Sequence, residues 1–225
     1  MKPERRIAQP RRDFLTQLGV ATAIFAGGAA HSPQSAEAAG DDQMHNEQWD
    51  VSWLDALAKA PYKVVFDASS IAEGYALDLA GVFLDHYHEV HNTTDSQTRA
   101  VIVMRQLGTP LALGDAMWDK YAIGEELKIN DRATRQPARR NPYFKATGGS
   151  DYSLETLRAR GTIFLLCNIA MNNWSSRHAD LVKRPLEEVR EEVRANLIPG
   201  TIVVPSGIFA IIRAQNAGCA FMRAA

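Results

Sequence analysis

Two cysteines stand in 225 residues. That is too few for a disulfide scaffold, a four-thiolate zinc site or an all-cysteine iron–sulfur cluster. No Cys-x-x-Cys-His is present, which excludes covalently attached c-type haem. Neither sign of charge dominates, with 25 Lys and Arg against 26 Asp and Glu, so the basic excess that marks a nucleic-acid binder is missing. No internal repeat or low-complexity tract is evident. A stable membrane span needs about 20 strongly apolar residues. The uncharged run at 14–30 is 17 long and diluted by Gly, Ala, Thr and Gln. What is there is a 46% apolar composition, ample for one continuous core plus an extension.

The extension comes first. Lys2, Arg5, Arg6, Arg11 and Arg12 form a basic head before the run 14–30, and Ala36-Glu37-Ala38 fits a small-residue cleavage pattern. Head, short apolar middle and cut site describe an export signal over 1–38. Arg11-Arg12-Asp13-Phe14-Leu15 resembles the bacterial twin-arginine signal, an ordinary secretory signal being the alternative. The expectation is a periplasmic protein exported already folded, without stable membrane insertion once the signal is removed. A lead-in over 39–52 and a single domain over 53–225 would follow.

Within 53–225, residues 62–67, 100–104, 162–167, 201–204 and 219–222 read as strands. Helical patterns lie at 53–59, 75–87, 153–160, 179–197 and 207–215. Leu79, Val82, Phe83 and Tyr87 mark the apolar stripe of the second helix, and Val182, Leu186, Val189 and Val193 that of the fourth, where Pro185 marks a break. Strands apolar on both faces, alternating with helices, predict a three-layer α/β domain. Its sheet is open, mostly parallel and of about five strands, with helices on both faces.

In such a sheet ligands bind beyond the carboxyl ends of the strands, where helix N-termini also arrive and favour anions. This rule nominates Asp67, Gln106, Gly108, Thr109, Cys167, Asn168, Ser206 and Gly207. For Ser206-Gly207 a helix cap is an equal reading. For Cys167 two readings stand: a small core residue, or a thiol presented at the ligand edge, where a helix N-terminus favours the nucleophilic thiolate. Cys219 begins its strand. A six-residue strand spans roughly 20 Å, so the pattern predicts two free thiols rather than a disulfide. His178 reads either as a base toward that edge or as an exposed histidine at a helix start.

His86, His88 and His91 gather three imidazoles, but at a helix C-terminus on the opposite edge of the sheet. A solvated helix end is expected there, and no metal or cofactor. Residues 122–150 form a long polar excursion bearing Arg132, Arg135, Arg139 and Arg140. These arginines would receive an anionic ligand or a neighbouring subunit, or are solvated loop charges.

Cys167-Asn168, Val204-Pro205-Ser206-Gly207 and Gln215-Asn216-Ala217-Gly218 follow one another in an order and spacing that resemble the C-terminal half of the DsrE-like family. The strand 62–67 and the segment VIVMRQLGTPLALGDAMW are consistent with its first half. The resemblance implies a flavodoxin-like, homo-oligomeric protein. Some members are sulfur-relay subunits that carry a persulfide on a cysteine. Carried onto this chain, that makes Cys167 a sulfur acceptor for a small sulfur-containing or anionic ligand. The alternative is a non-catalytic oligomeric binding or scaffold protein. The arginine-bearing excursion departs from the compact members.

Overall fold

A computed structural model describes residues 49–146 and 152–225. The expected export signal and most of the expected lead-in lie outside the described residues. Five strands, β1 (Tyr62–Ala68), β2 (Thr98–Met104), β3 (Ile163–Cys167), β4 (Thr201–Val204) and β5 (Ala220–Arg223), form one sheet. Every pairing is parallel, in the order β4-β3-β2-β1-β5. The helices are α1 (Trp53–Lys59), α2 (Tyr75–His91), α3 (Asp115–Lys120), α4 (Ile123–Glu126), α5 (Leu154–Ala159), α6 (Asn168–Val182), α7 (Leu186–Ala195) and α8 (Gly207–Asn216).

The strands are rich in Val, Ile, Leu and Phe and alternate cleanly between two apolar layers. Val64, Phe66, Ala100, Ile102, Met104, Phe164 and Leu166 join the core beneath α2, α5, α6 and α7. Val65, Val101, Val103, Leu165 and Val204 face Trp53 and Leu57 of α1 and Ala210 and Ala214 of α8. Right-handed crossovers explain the two faces. From β1 to β4 the chain steps in one direction, keeping its connections on one side. The step from β4 to β5 reverses direction and carries α8 to the other. The result is the expected three-layer open α/β architecture of the flavodoxin-like class, with all five strands parallel. Flavodoxin itself has the order 2-1-3-4-5.

Three local expectations change. The buried stripe of α2 is Ala76, Leu77, Ala80, Gly81 and Leu84 rather than the larger residues, and Val82 is exposed. Small side chains allow close approach: a Cβ on Gly81 would lie 2.2 Å from the Tyr152 ring. Phe83 and Tyr87 instead build an aromatic run with Tyr62 and His91. The fourth helical pattern breaks at Lys183–Pro185, as Pro185 indicates, but the helix before the break starts directly after Cys167 rather than at 179. The excursion after α4 is tied back by buried Asn141, whose Nδ2 donates to the carbonyls of Leu111 at 3.0 Å and Leu113 at 2.8 Å. Its four arginines are exposed, and Arg139 meets Asp119 at 3.4 Å.

At the opposite sheet edge the three histidines diverge. His86 is exposed, His88 Nε2 lies 3.2 Å from Asp95, and His91 stacks on Tyr62. Among the described residues no group of three His, Cys, Asp or Glu is placed to hold a metal ion. Nor is any helix among them long and apolar enough to cross a membrane.

Candidate functional site

The reversal of winding fixes where the sheet opens. The chain leaves β3 into α6 on one face and leaves β4 into α8 on the other, so a crevice forms between the carboxyl ends of these two strands. A cavity of about 410 Å³ occupies this place. Cys167, Trp174 and Arg177 line it from β3 and α6, Ser206, Gly207 and Ile208 from β4 and α8, and Arg105, Gln106 and Leu107 from the end of β2. Ile123, Glu126 and Leu127 close the remaining side.

Cys167 ends β3 and caps α6, its Sγ accepting the Ala170 N–H at 3.4 Å. Ser206 does the same for α8, its Oγ accepting the Phe209 N–H at 3.0 Å. Two helix N-termini, each a partial positive charge, therefore converge on the cavity from opposite faces of the sheet. The thiol is almost wholly covered by protein yet lines the cavity.

Arg105 leaves the tip of β2 and grips Asp67 at the tip of β1, with Nε–Oδ1 at 2.6 Å and Nη2–Oδ2 at 2.7 Å. Those bonds raise the guanidinium's pKa further, against burial. Two of five donors are used, leaving three directions for other partners. Beyond it, Gln106 sits in the left-handed region at φ 51°. The loop holds it there: the Gly108 N–H donates to the Arg105 carbonyl at 2.8 Å, and Thr109 Oγ1 donates to the Gln106 carbonyl at 2.9 Å.

The nominated residues thus divide. Cys167, Gln106, Ser206 and Gly207 line the cavity. Asp67 is committed to Arg105. Gly108 is buried against β1, where a Cβ would stand 2.2 Å from the Ala68 carbonyl oxygen. Thr109 is fully buried and braces the loop. Asn168 Oδ1 accepts from Arg194 Nη2 at 2.8 Å. These four support the site rather than line it.

His178 requires a correction. It is neither exposed nor at a helix start: it lies deep in α6, 2% exposed, stacked on Trp174 with ring centroids 3.6 Å apart. At 1.5 Å per residue it stands roughly 16 Å along the helix from Cys167, too far to act as that thiol's base. Its Nδ1 lies 2.9 Å from the Trp174 carbonyl, which can only accept, so Nδ1 carries a hydrogen. Its Nε2 lies 3.0 Å from Glu126 Oε2. One proton must occupy that contact, on the carboxyl when the imidazole is neutral and on the imidazole when it is charged. Burial pushes the imidazole's pKa down, the Trp174 carbonyl opposes this, and Arg177 adds to it. Glu126 also pairs with Arg177, so the His178 contact fixes a carboxylate that lines the cavity.

Arg105, Glu126 and Trp174 were not nominated from the sequence. Arg105 follows the apolar run of β2 directly, and the edge rule that selected Gln106 applies equally to it. Trp174 stands two helical turns past Cys167, a signal visible only when α6 begins at Asn168.

No protein family profile matches the chain, and no curated protein does. Among solved structures, a protein of unknown function from Methanobacterium thermoautotrophicum is similar at 17% identity. The match covers 72% of this chain and 98% of that one, with a TM-score of 0.35.

Proposed function

We propose that this protein is an exported DsrE-like protein that binds a small sulfur-containing or anionic molecule in the cavity between β3 and β4, with Cys167 as the sulfur acceptor. The single observation that carries this reading is the Cys167 thiol standing at the N-terminus of α6 while lining that cavity. Helix N-terminal amides favour a persulfide anion held there.

With thiosulfate as donor, the Cys167 thiolate attacks the outer sulfur. A new S–S bond forms to Cys167, the S–S bond of thiosulfate breaks, and its electron pair leaves with sulfite. The twin-arginine leader sends the folded protein to the periplasm, where it works as a homo-oligomer. Intact-mass spectrometry after incubation with thiosulfate or polysulfide tests the chemistry. One added sulfur on Cys167, absent from Cys167→Ser, is expected. An unmodified Cys167, or equal modification of the variant, overturns it.

A second reading, a non-catalytic oligomeric scaffold, is favoured by exposed Ile208 and Ile212 on α8 and by Phe221 and Met222 on the edge strand β5. It predicts that Ile212→Glu with Phe221→Glu reduces oligomer size in light scattering while Cys167→Ser leaves it unchanged.

A further inference from the structure

We propose that the cavity at Cys167 and the groove beside it form one site for an elongated organic persulfide, with an apolar body and an anionic far end. The inference rests on the sulfur-acceptor reading for the reactive end of the ligand, and on independent observations for its body and far end.

The cavity can admit a small donor such as thiosulfate to Cys167, but it gives a multiply charged inorganic ion little to hold it. Its two cations are already matched, Arg105 by Asp67 and Arg177 by Glu126. Its walls include Leu107, Ile123, Leu127, Ile169 and Trp174. A dianion entering there sheds hydration against hydrocarbon, whereas a hydrocarbon body gains by the same burial.

The uncompensated charge lies next door. A groove of about 630 Å³ shares Leu107 and Leu127 with the cavity, so the two meet at those side chains. Lys128, Arg132 and Arg135 line the groove against one carboxylate, Glu73. None of these three cations makes an ion pair among the described residues. An anion at that end meets donors with no prior partner.

Backbone strain marks the same region. Among the described residues eight non-glycine positions adopt positive φ, and five of them line the cavity or the groove: Ala72, Glu73, Gln106, Lys128 and Arg135. Such conformations are costly and gather where a binding surface must be held in shape. The ligand would then lie with its sulfur at Cys167, its body past Leu107 and Leu127, and its charge over Arg132 and Arg135. In the transfer step the Cys167 thiolate attacks the terminal sulfur of R–S–SH. The Cys167 S–S bond forms, the R–S to SH bond breaks, and the electron pair leaves with the thiolate RS⁻.

Calorimetry on the full domain carrying Cys167→Ser tests the binding without any sulfur chemistry, using hexanoate, octanoate, decanoate, octanol and thiosulfate as probes. Affinity is expected to rise about fourfold per added methylene until the chain outgrows the cavity. Octanoate is expected to bind about tenfold more tightly than octanol, an advantage that Arg132→Gln with Arg135→Gln removes. Both arginines are exposed, so the fold survives their replacement. Ile169→Gln, also at an exposed position, lowers the gain per methylene. A flat chain-length series, thiosulfate binding as tightly as decanoate, or an octanoate affinity indifferent to the arginine pair would each overturn the proposal. Failure of Cys167 to take up sulfur in the mass-spectrometric experiment strikes the sulfur-acceptor reading instead and leaves these binding results standing.

Discussion

Replacing Arg105 by Leu isolates the pair that braces the cavity. The Asp67 side chain is 7% exposed and that of Arg105 24%, so the substitution strands a carboxylate in a nearly dry position. Removing one partner of a fully buried pair costs about 3–5 kcal/mol. The quarter-exposure of the arginine lowers this to roughly 2–4 kcal/mol, within the total stability of an ordinary domain. Urea unfolding at pH 7 measures the loss. Two controls separate a stranded charge from lost contacts. Asp67→Asn with Arg105→Leu leaves no buried charge and is expected to recover about 1 kcal/mol or more of the single variant's deficit. An orphaned buried carboxylate also takes up a proton more readily than a solvated one. The single variant's deficit therefore shrinks as the pH falls from 7 to 5. A deficit that is independent of pH, together with a double variant no more stable than the single, would refute the reasoning.

Three further outcomes are expected. Burial, opposed by Lys63, pushes the Cys219 thiol up to about 11, so about one in a thousand is ionised at pH 8. Iodoacetamide should label Cys167 and spare Cys219, and peptide mapping that finds Cys219 labelled first contradicts this. Glu192 collects Lys120, Arg184 and the Tyr121 hydroxyl at 3.0 Å. Burial works against its ionised form, but the hydrogen bonds outweigh burial and hold its pKa below the usual glutamate range. Its contribution is therefore complete above that range and lost as the pH falls through its depressed value. Glu192→Gln should cost about 1–3 kcal/mol at pH 7, with a gap from the parent that narrows in acid urea titrations. Gly108→Ala forces a methyl onto the backbone carbonyl of Ala68, 2.2 Å away, which no side-chain rotation relieves. About 2 kcal/mol of stability, or roughly 4–8 °C in Tm by calorimetry, should be lost.

The strands were legible because fully buried parallel strands leave little choice: each β-branched or aromatic run in 62–68, 98–104 and 163–167 has a face to fill on both sides. The helices were harder. On α2 the burial follows small residues, because Tyr152 must come against Gly81, and no local periodicity announces a partner more than 70 positions away. On α6 the polar segment Asn172-Asn173-Trp174-Ser175 hides a helix whose buried face is made of Met171, Ser175 and His178. Ser175 is tolerated there because its hydroxyl donates to the Met171 carbonyl at 2.9 Å. The same hidden helix concealed Trp174, whereas Cys167 and Ser206 were found because strand ends and helix caps are written in adjacent residues. Strand order, which sets the crevice, depends on pairings such as Val64 with Ala220 that no short motif encodes.

That long-range pairing has a kinetic consequence. The ladder between β1 and β5 joins residues 64 and 220, so it closes a loop spanning nearly the whole domain and is the contact a folding chain reaches last. The α8 helix, which covers Val65, Val101 and Val103, precedes β5 and packs directly on β1, β2 and β3. The Ala224 N–H also donates to the Asp67 carbonyl at 3.0 Å, on the residue that grips Arg105. The pair that braces the cavity is therefore completed by the strand that joins the sheet last.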